Sequence, residues 1–106
     1  MGILFEKIYR YEVFSPTSSE RMLRLLGRNF WDEQEAIAVF PPTIEVFSKN
    51  GCVNASRSEA MIVNAPKNPF VFCVFTNNNK DISWSRDNEA WTIARKIATY
   101  LWEYYN

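Results

Sequence analysis

The chain contains no histidine. That absence removes Ser–His and Cys–His nucleophilic pairs and most zinc sites, because no imidazole is there to take a proton or hold a metal. Neither a metal nor a cofactor is expected. An excess of one charge is also missing, since Lys plus Arg and Asp plus Glu each number 12. No basic stripe exists, so no nucleic-acid partner is expected. No apolar run approaches the roughly 20 residues of a membrane helix. Met1-Gly2-Ile3-Leu4 lacks the basic start and long apolar stretch of a signal peptide.

What remains is rich in core material. Apolar residues make up 47% and aromatic residues 16% of 106 residues, enough for one packed domain and too much for a disordered chain. Low net charge together with four Trp and eight Phe points to limited solubility or a buried interface.

The centre of the chain reads as three short β-type runs. Thr43, Ile44, Val46 and Phe47 begin the first; Ala60 to Val63 fill the second; Phe70 to Phe75 form the third. Breaks fall at Asn50-Gly51, at Val53-Asn54-Ala55-Ser56 and at Pro66-Lys67-Asn68-Pro69. Such short breaks imply antiparallel neighbours, because a parallel return needs a long crossover. The expectation is a three-stranded antiparallel meander covered by helices. Cys52 and Cys73 then lie on outer strands with the middle strand between them, and are expected as buried, reduced thiols.

Leu4, Phe5, Ile8, Tyr11 and Glu12 recur at helical spacing, with Glu6, Lys7 and Arg10 opposite, predicting an amphipathic helix over residues 1–14. Its start lacks a cap and a preceding turn, as in the interior of a longer protein or the start of a truncated frame. Ser15-Pro16 is a strong helix opening: serine caps, and proline at the first position loses no bond. That second helix should run to Leu26, bury Met22, Leu23, Leu25 and Leu26, and stop at Gly27 and Asn29. Asp32, Glu33 and Glu35 precede Ala36 to Phe40. They suit the N-terminus of a third short helix better than a catalytic pair. Pro41-Pro42 ends it. After the meander, Ser85 is a candidate N-cap for a last helix reaching about Tyr104. Ala90, Ala94, Ile97, Leu101 and Tyr105 would form its buried stripe, flanked by Trp91, Ala98 and Trp102. Arg95, Lys96 and Glu103 would face outward. The aromatic set from Trp84 to Tyr105 is read as packing and interface, not as a ligand cage. The predicted class is α+β: two or three N-terminal helices, the meander, and a C-terminal helix packed on the sheet.

At Lys49-Asn50-Gly51 the sequence resembles the C-terminal part of class A β-lactamases and penicillin-binding-protein-like serine hydrolases. These carry a K-T-G or K-S-G triad on a strand bordering the active site. The flanks agree in order: Val13-Phe14 then Ser15-Pro16, the Ile37-to-Pro41 stretch, the hairpin, the strand pair in MIVNAPKNPFVFCVFTNN, and a terminal helix. The resemblance implies that Lys49 anchors a substrate carboxylate, that Gly51 lets the ligand approach the backbone, and that the N–H of Cys52 helps hold an oxyanion. Asn50 replaces the usual hydroxyl residue, and Arg57 would assist the carboxylate. The ligand implied is a β-lactam-like or peptide carboxylate, held only if a complementary chain supplies the rest of the site. Such relatives are mostly exported.

Read without the resemblance, Asn50-Gly51 is also the strongest two-residue hairpin signal, which would make Lys49 a solvated residue before a turn. The alternative puts the turn at Val53–Ser56 and keeps Lys49 and Gly51 inside a strand. The position of the turn separates the two readings.

The nucleophile of these enzymes sits in S-x-x-K, where an amine can take the serine's proton. No serine of this chain has lysine three residues on, and S-D-N is absent. No catalytic residue is therefore assigned. The apolar run Phe70–Phe75 could be a bare edge, pairing with a second copy or with a complementary chain.

Overall fold

The computed structural model describes residues 1–27 and 33–106. Helix α1 spans Gly2–Tyr9, α2 Pro16–Leu26, and a short 3-10 helix Ala36–Val39. Strands β1 (Val46–Val53), β2 (Ser56–Val63) and β3 (Phe70–Phe75) follow, then α3 (Glu89–Tyr105). The sheet is the expected antiparallel meander, in the order β1-β2-β3.

Both faces of the sheet are covered, which explains β2. Ala60, Met61, Ile62 and Val63 are all buried in succession, as in a strand with helices above and below. Met61 and Val63 point to one side, with Phe70, Phe72, Ala94 and Ala98 of β3 and α3 and with Ala36 and Phe40 around the 3-10 helix. Ala60 and Ile62 point to the other, with Phe5 and Ile8 of α1, Leu23 of α2 and Phe47 of β1. Ala90, Ala94 and Ala98 are nearly inaccessible, so small side chains bring α3 close to the sheet.

The local signals around Ser15 hold. Its Oγ accepts the Ser18 N–H at 3.1 Å, and Pro16 opens α2. Ser19, fully buried, clasps Val13 with its hydroxyl, which accepts the Val13 N–H at 3.1 Å and donates to the Val13 carbonyl at 3.0 Å.

Other boundaries differ from the sequence reading. α1 stops at Tyr9 instead of continuing to Phe14. Tyr11 turns left-handed (φ 61°), its N–H donates to Ile8 O, and Glu12 N–H donates to Lys7 O. This pattern closes a helix C-terminus, usually with Gly or Asn at the left-handed position; tyrosine there gave no warning. Tyr11 is exposed, and so are Leu4 of α1 and Leu25 of α2. Thr43 and Ile44 lie in a turn, not in β1, because Pro41 O accepts the Ile44 N–H with Pro42 between them. The cap of α3 is Asn88, not Ser85. Its Oδ1 accepts the Ala90 N–H, while Nδ2 donates to the Asp81 and Ser83 carbonyls. Ile97 is more exposed than its stripe predicted. Arg95 does not point freely outward: it donates to the carbonyls of Gln34 and Arg86. The predicted stop at Asn29 and the acid Asp32 lie outside the described residues.

Cys52 and Cys73 are free thiols, only half-buried where burial was expected, because each lies on an outer strand; they sit on opposite faces of the sheet, as their pairing with Arg57 and Ala60 requires.

Candidate functional site

The turn between β1 and β2 falls at Asn54-Ala55, with Val53 opposite Ser56. Lys49, Asn50 and Gly51 are thus inside β1, opposite Ala60, Glu59 and Ser58. Neither Asn54 nor Ala55 has positive φ, so this hairpin lacks the mirror-image turn that Asn-Gly would have supplied. Arg57 takes the place of that chemistry: its Nη1 donates to the carbonyls of Val53, Asn54 and Ser56.

Strand alternation divides the five candidate residues between two faces. Lys49 and Gly51 lie on the α1/α2 side. There they line an open groove of about 430 Å³ with Leu4, Phe5 and Ile8 of α1 and Met22, Leu25 and Leu26 of α2. A β-carbon built on Gly51 would meet nothing within 4 Å. Gly51→Ala should therefore leave stability within about 0.5 kcal/mol of the parent, measured by urea unfolding.

Asn50, Cys52 and Arg57 lie on the α3 side. Asn50 Nδ2 donates to Glu35 Oε1 at 2.5 Å, and the Cys52 thiol lies 3.7 Å from the same oxygen. Glu35 is buried and does not cap the 3-10 helix with its side chain. The N–H of Ala36 is instead taken by Oε2 of Glu59, reaching from β2 at 2.9 Å. The expected role of Glu35 as an N-terminal helix charge is thus corrected: it faces β1. Burial, with the Glu35 carboxylate beside it, pushes the Cys52 thiol up, while Arg57 works the other way. Burial also raises the Cys73 thiol. Neither is a thiolate nucleophile near neutral pH.

Arg57 is 3% exposed. Its guanidinium lies 4.3 Å from the ring centroid of Trp84 and 4.8 Å from that of Trp91, and Nη2 donates to Ser83 O. Trp84 in turn donates from Nε1 to Asn54 Oδ1 at 3.0 Å. The arginine therefore pins the loop before α3 onto the hairpin.

The sequence reading missed Glu35, Glu59 and the tryptophan pair around Arg57. One signal was available: Arg57, Glu59, Met61 and Val63 share the parity of the face covered by α3. Two charged residues on an apolar face demand buried partners.

The outer edge of β1, which no strand among the described residues pairs with, carries the remaining geometry. Asn64 N–H donates to Glu45 O. In this register Lys49 and Gly51 turn their backbone groups to β2, while Asn50 and Cys52 turn theirs outward. Lys49 Nζ reaches that edge, donating to Asn50 O at 2.6 Å and to Asn50 Oδ1 at 3.2 Å. A primary ammonium and an outward N–H from Cys52 are thus set along one strand edge. No cluster that could hold a metal occurs among the described residues. Nor is any helix among them long and apolar enough to cross a membrane.

A meander backed on both faces by helices, with a Lys-Asn-Gly edge strand, defines the sheet portion of a β-lactamase-type fold. A family model for the β-lactamase enzyme family matches residues 1–105, and the chain belongs to that family. The fold is similar to that of TLA-1 extended-spectrum β-lactamase (20% identity, TM-score 0.82), and of a β-lactamase from Chitinophaga pinensis (18%, 0.82). Each match covers 97% of this chain and 39% of the other. A PBP-A variant solved as an acyl-enzyme with penicillin G is also similar (16%, 0.79), covering 97% of this chain and 37% of that one. The chain thus spans well under half the length of these relatives. No curated protein matches it.

Proposed function

We propose that this chain is the carboxylate-recognising part of a β-lactamase-like serine hydrolase and is catalytically silent by itself. The observation that carries this reading is the position of Lys49-Asn50-Gly51. The triad lies inside an edge strand, with the ammonium and the Cys52 N–H directed along its outer edge. A β-lactam or peptide carboxylate would pair with Lys49, which supplies charge without a competing acid in its hydrogen bonds. The open space above Gly51 would admit the ligand to the backbone. The Cys52 N–H would face a developing oxyanion. Asn50 departs from the hydroxyl pattern, and its amide is engaged by Glu35 on the opposite face, so Lys49 would act without it.

Hydrolysis needs a serine whose proton an amine can take, and none of the chain's serines has that spacing. Intact-mass measurement after exposure to penicillin G should show no adduct on this chain alone. A covalent mass increase would refute the proposal. Mixed with a segment that carries S-x-x-K, the assembly should be acylated on that segment. Lys49→Ala should then slow acylation about 10- to 100-fold, the range for losing one charged hydrogen bond. An unchanged rate would remove Lys49 from the site.

A further inference from the structure

Residues 34–36, at the entry to the 3-10 helix, are tied in turn to α3, β1 and β2. Gln34 O accepts from Arg95 Nη1 of α3. Glu35 Oε1 accepts from Asn50 Nδ2 of β1 at 2.5 Å, and Ala36 N–H donates to Glu59 Oε2 of β2 at 2.9 Å. Asn50 and Glu59 stand directly opposite each other in the β1–β2 register. Theirs is a non-hydrogen-bonded pair, the kind that brings facing side chains closest. One cross-strand pair therefore grips two successive residues of the entry. Glu35 is 4% exposed, so its carboxylate is fixed behind β1. The same oxygen lies 3.7 Å from the Cys52 thiol. It thus meets the side chains of both residues that flank Gly51.

We propose that Glu35 is a positioning residue: through Asn50 and Cys52 it holds the outward backbone groups of β1, above all the Cys52 N–H, in place. Those groups have no bond to β2, since Lys49 and Gly51 alone of this stretch spend theirs on that strand. Side chains must steady them instead, and both side chains end on Glu35. The chemistry of Asn50 suits this role. Its Oδ1 accepts from Lys49 Nζ at 3.2 Å while Nδ2 donates to the carboxylate. A flipped amide would set oxygen against carboxylate and N–H against ammonium, so one orientation is stable. A primary amide bridges an acid and an amine with both ends complementary; a carboxylate at position 50 would repel Glu35. Asn50 and Glu35 therefore form one unit. The consequence for chemistry rests on the proposed function, in which the Cys52 N–H faces an oxyanion: Glu35 acts through Cys52 and touches no ligand itself.

The test uses the whole purified chain and needs no ligand. Backbone 15N relaxation should give Cys52 an order parameter of about 0.85, that of rigid backbone. Glu35→Leu fills the same space without an acceptor and should lower it toward about 0.6, with Met61 and Phe72 unchanged. Glu35→Gln keeps an oxygen that can accept from Asn50 Nδ2 and should restore most of the order. Asn50→Ala should lower it too, and the double variant should lose no more than Glu35→Leu alone. If Glu35→Leu fails to fold by tryptophan fluorescence, Asn50→Ala and Glu35→Gln carry the test. Unchanged order at Cys52 overturns the proposal. So does a loss shared by Met61 and Phe72, or equal losses with leucine and glutamine. In an assembly acylated on a segment that carries S-x-x-K, Glu35→Leu should slow acylation about tenfold or more, since one oxyanion donor is worth about 100- to 1000-fold. Order lost at Cys52 with acylation unchanged would overturn the oxyanion role of Cys52 and leave the positioning by Glu35 standing. Order kept overturns the positioning, whatever Lys49→Ala does to the rate.

Discussion

Arg57→Ala is expected to cost about 3–5 kcal/mol, a large share of the total stability of about 5–15 kcal/mol usual for a domain. The side chain is 3% exposed and donates to four carbonyls, those of Val53, Asn54, Ser56 and Ser83. A charged hydrogen bond is worth about 1.5–3 kcal/mol net, and a desolvated cation over an aromatic face about 2 kcal/mol. These terms overlap, which brings the sum down to the stated range. Alanine removes them together and leaves a void between Trp84 and Trp91. Arg57→Lys should recover less than half of the loss, because an ammonium cannot reproduce the planar fork. Urea unfolding followed by tryptophan fluorescence measures both, and the two rings beside the substituted position make the probe local. A change within about 0.5 kcal/mol would return Arg57 to the role the resemblance implied, a ligand-facing arginine.

Met61→Ala should cost about 2–4 kcal/mol and lower the melting temperature by about 10–25 °C in calorimetry. Met61 is fully buried at the middle of the central strand, against Val63, Phe72, Ala94 and Ala98. Its neighbours on α3 are alanines, which have no side-chain length to swing into the cavity. Met22→Ala provides the contrast. Met22 is only half-buried and borders the open groove, so its loss should cost about 1 kcal/mol or less. Equal losses at the two sites would mean that the groove is filled in solution.

The two thiols separate in a related way. Cys52 faces Glu35 and Cys73 lies under Gly2, each with its thiol raised by burial. The sequence placed them on outer strands and expected them reduced, and the sheet order agrees. It did not show that they occupy opposite faces, because that depends on a register set by where the hairpin turns.

Much of the fold was legible because its signals are local. The three apolar runs, the breaks between them and the Ser15-Pro16 opening of α2 depend on residues within a few positions of each other. So does the missing S-x-x-K, which is a matter of spacing alone. The order of elements around Lys49-Asn50-Gly51 was enough to indicate the family. The errors also have a local origin. Tyr11 ends α1 in a conformation that glycine or asparagine normally signals, and the preceding periodicity continued past it. Ser85 looked like a cap, but Asn88 has both an acceptor for Ala90 and a donor for the loop carbonyls, so it satisfies more of the helix start.

What the sequence by itself determined was an antiparallel meander between helices, in a chain with Lys49-Asn50-Gly51 and no S-x-x-K spacing. What only the tertiary structure decided was the turn at Asn54-Ala55, and with it the placement of Lys49 and Gly51 inside β1. Locally, Asn50-Gly51 is the better hairpin. The outcome is set by Arg57, whose guanidinium holds the carbonyls of the other turn while residues far along the chain, Ser83, Trp84 and Trp91, hold the guanidinium. A contact across 26 residues or more leaves no trace in a window of ten. It enters the energy only when α3 docks on the sheet and removes the arginine from water.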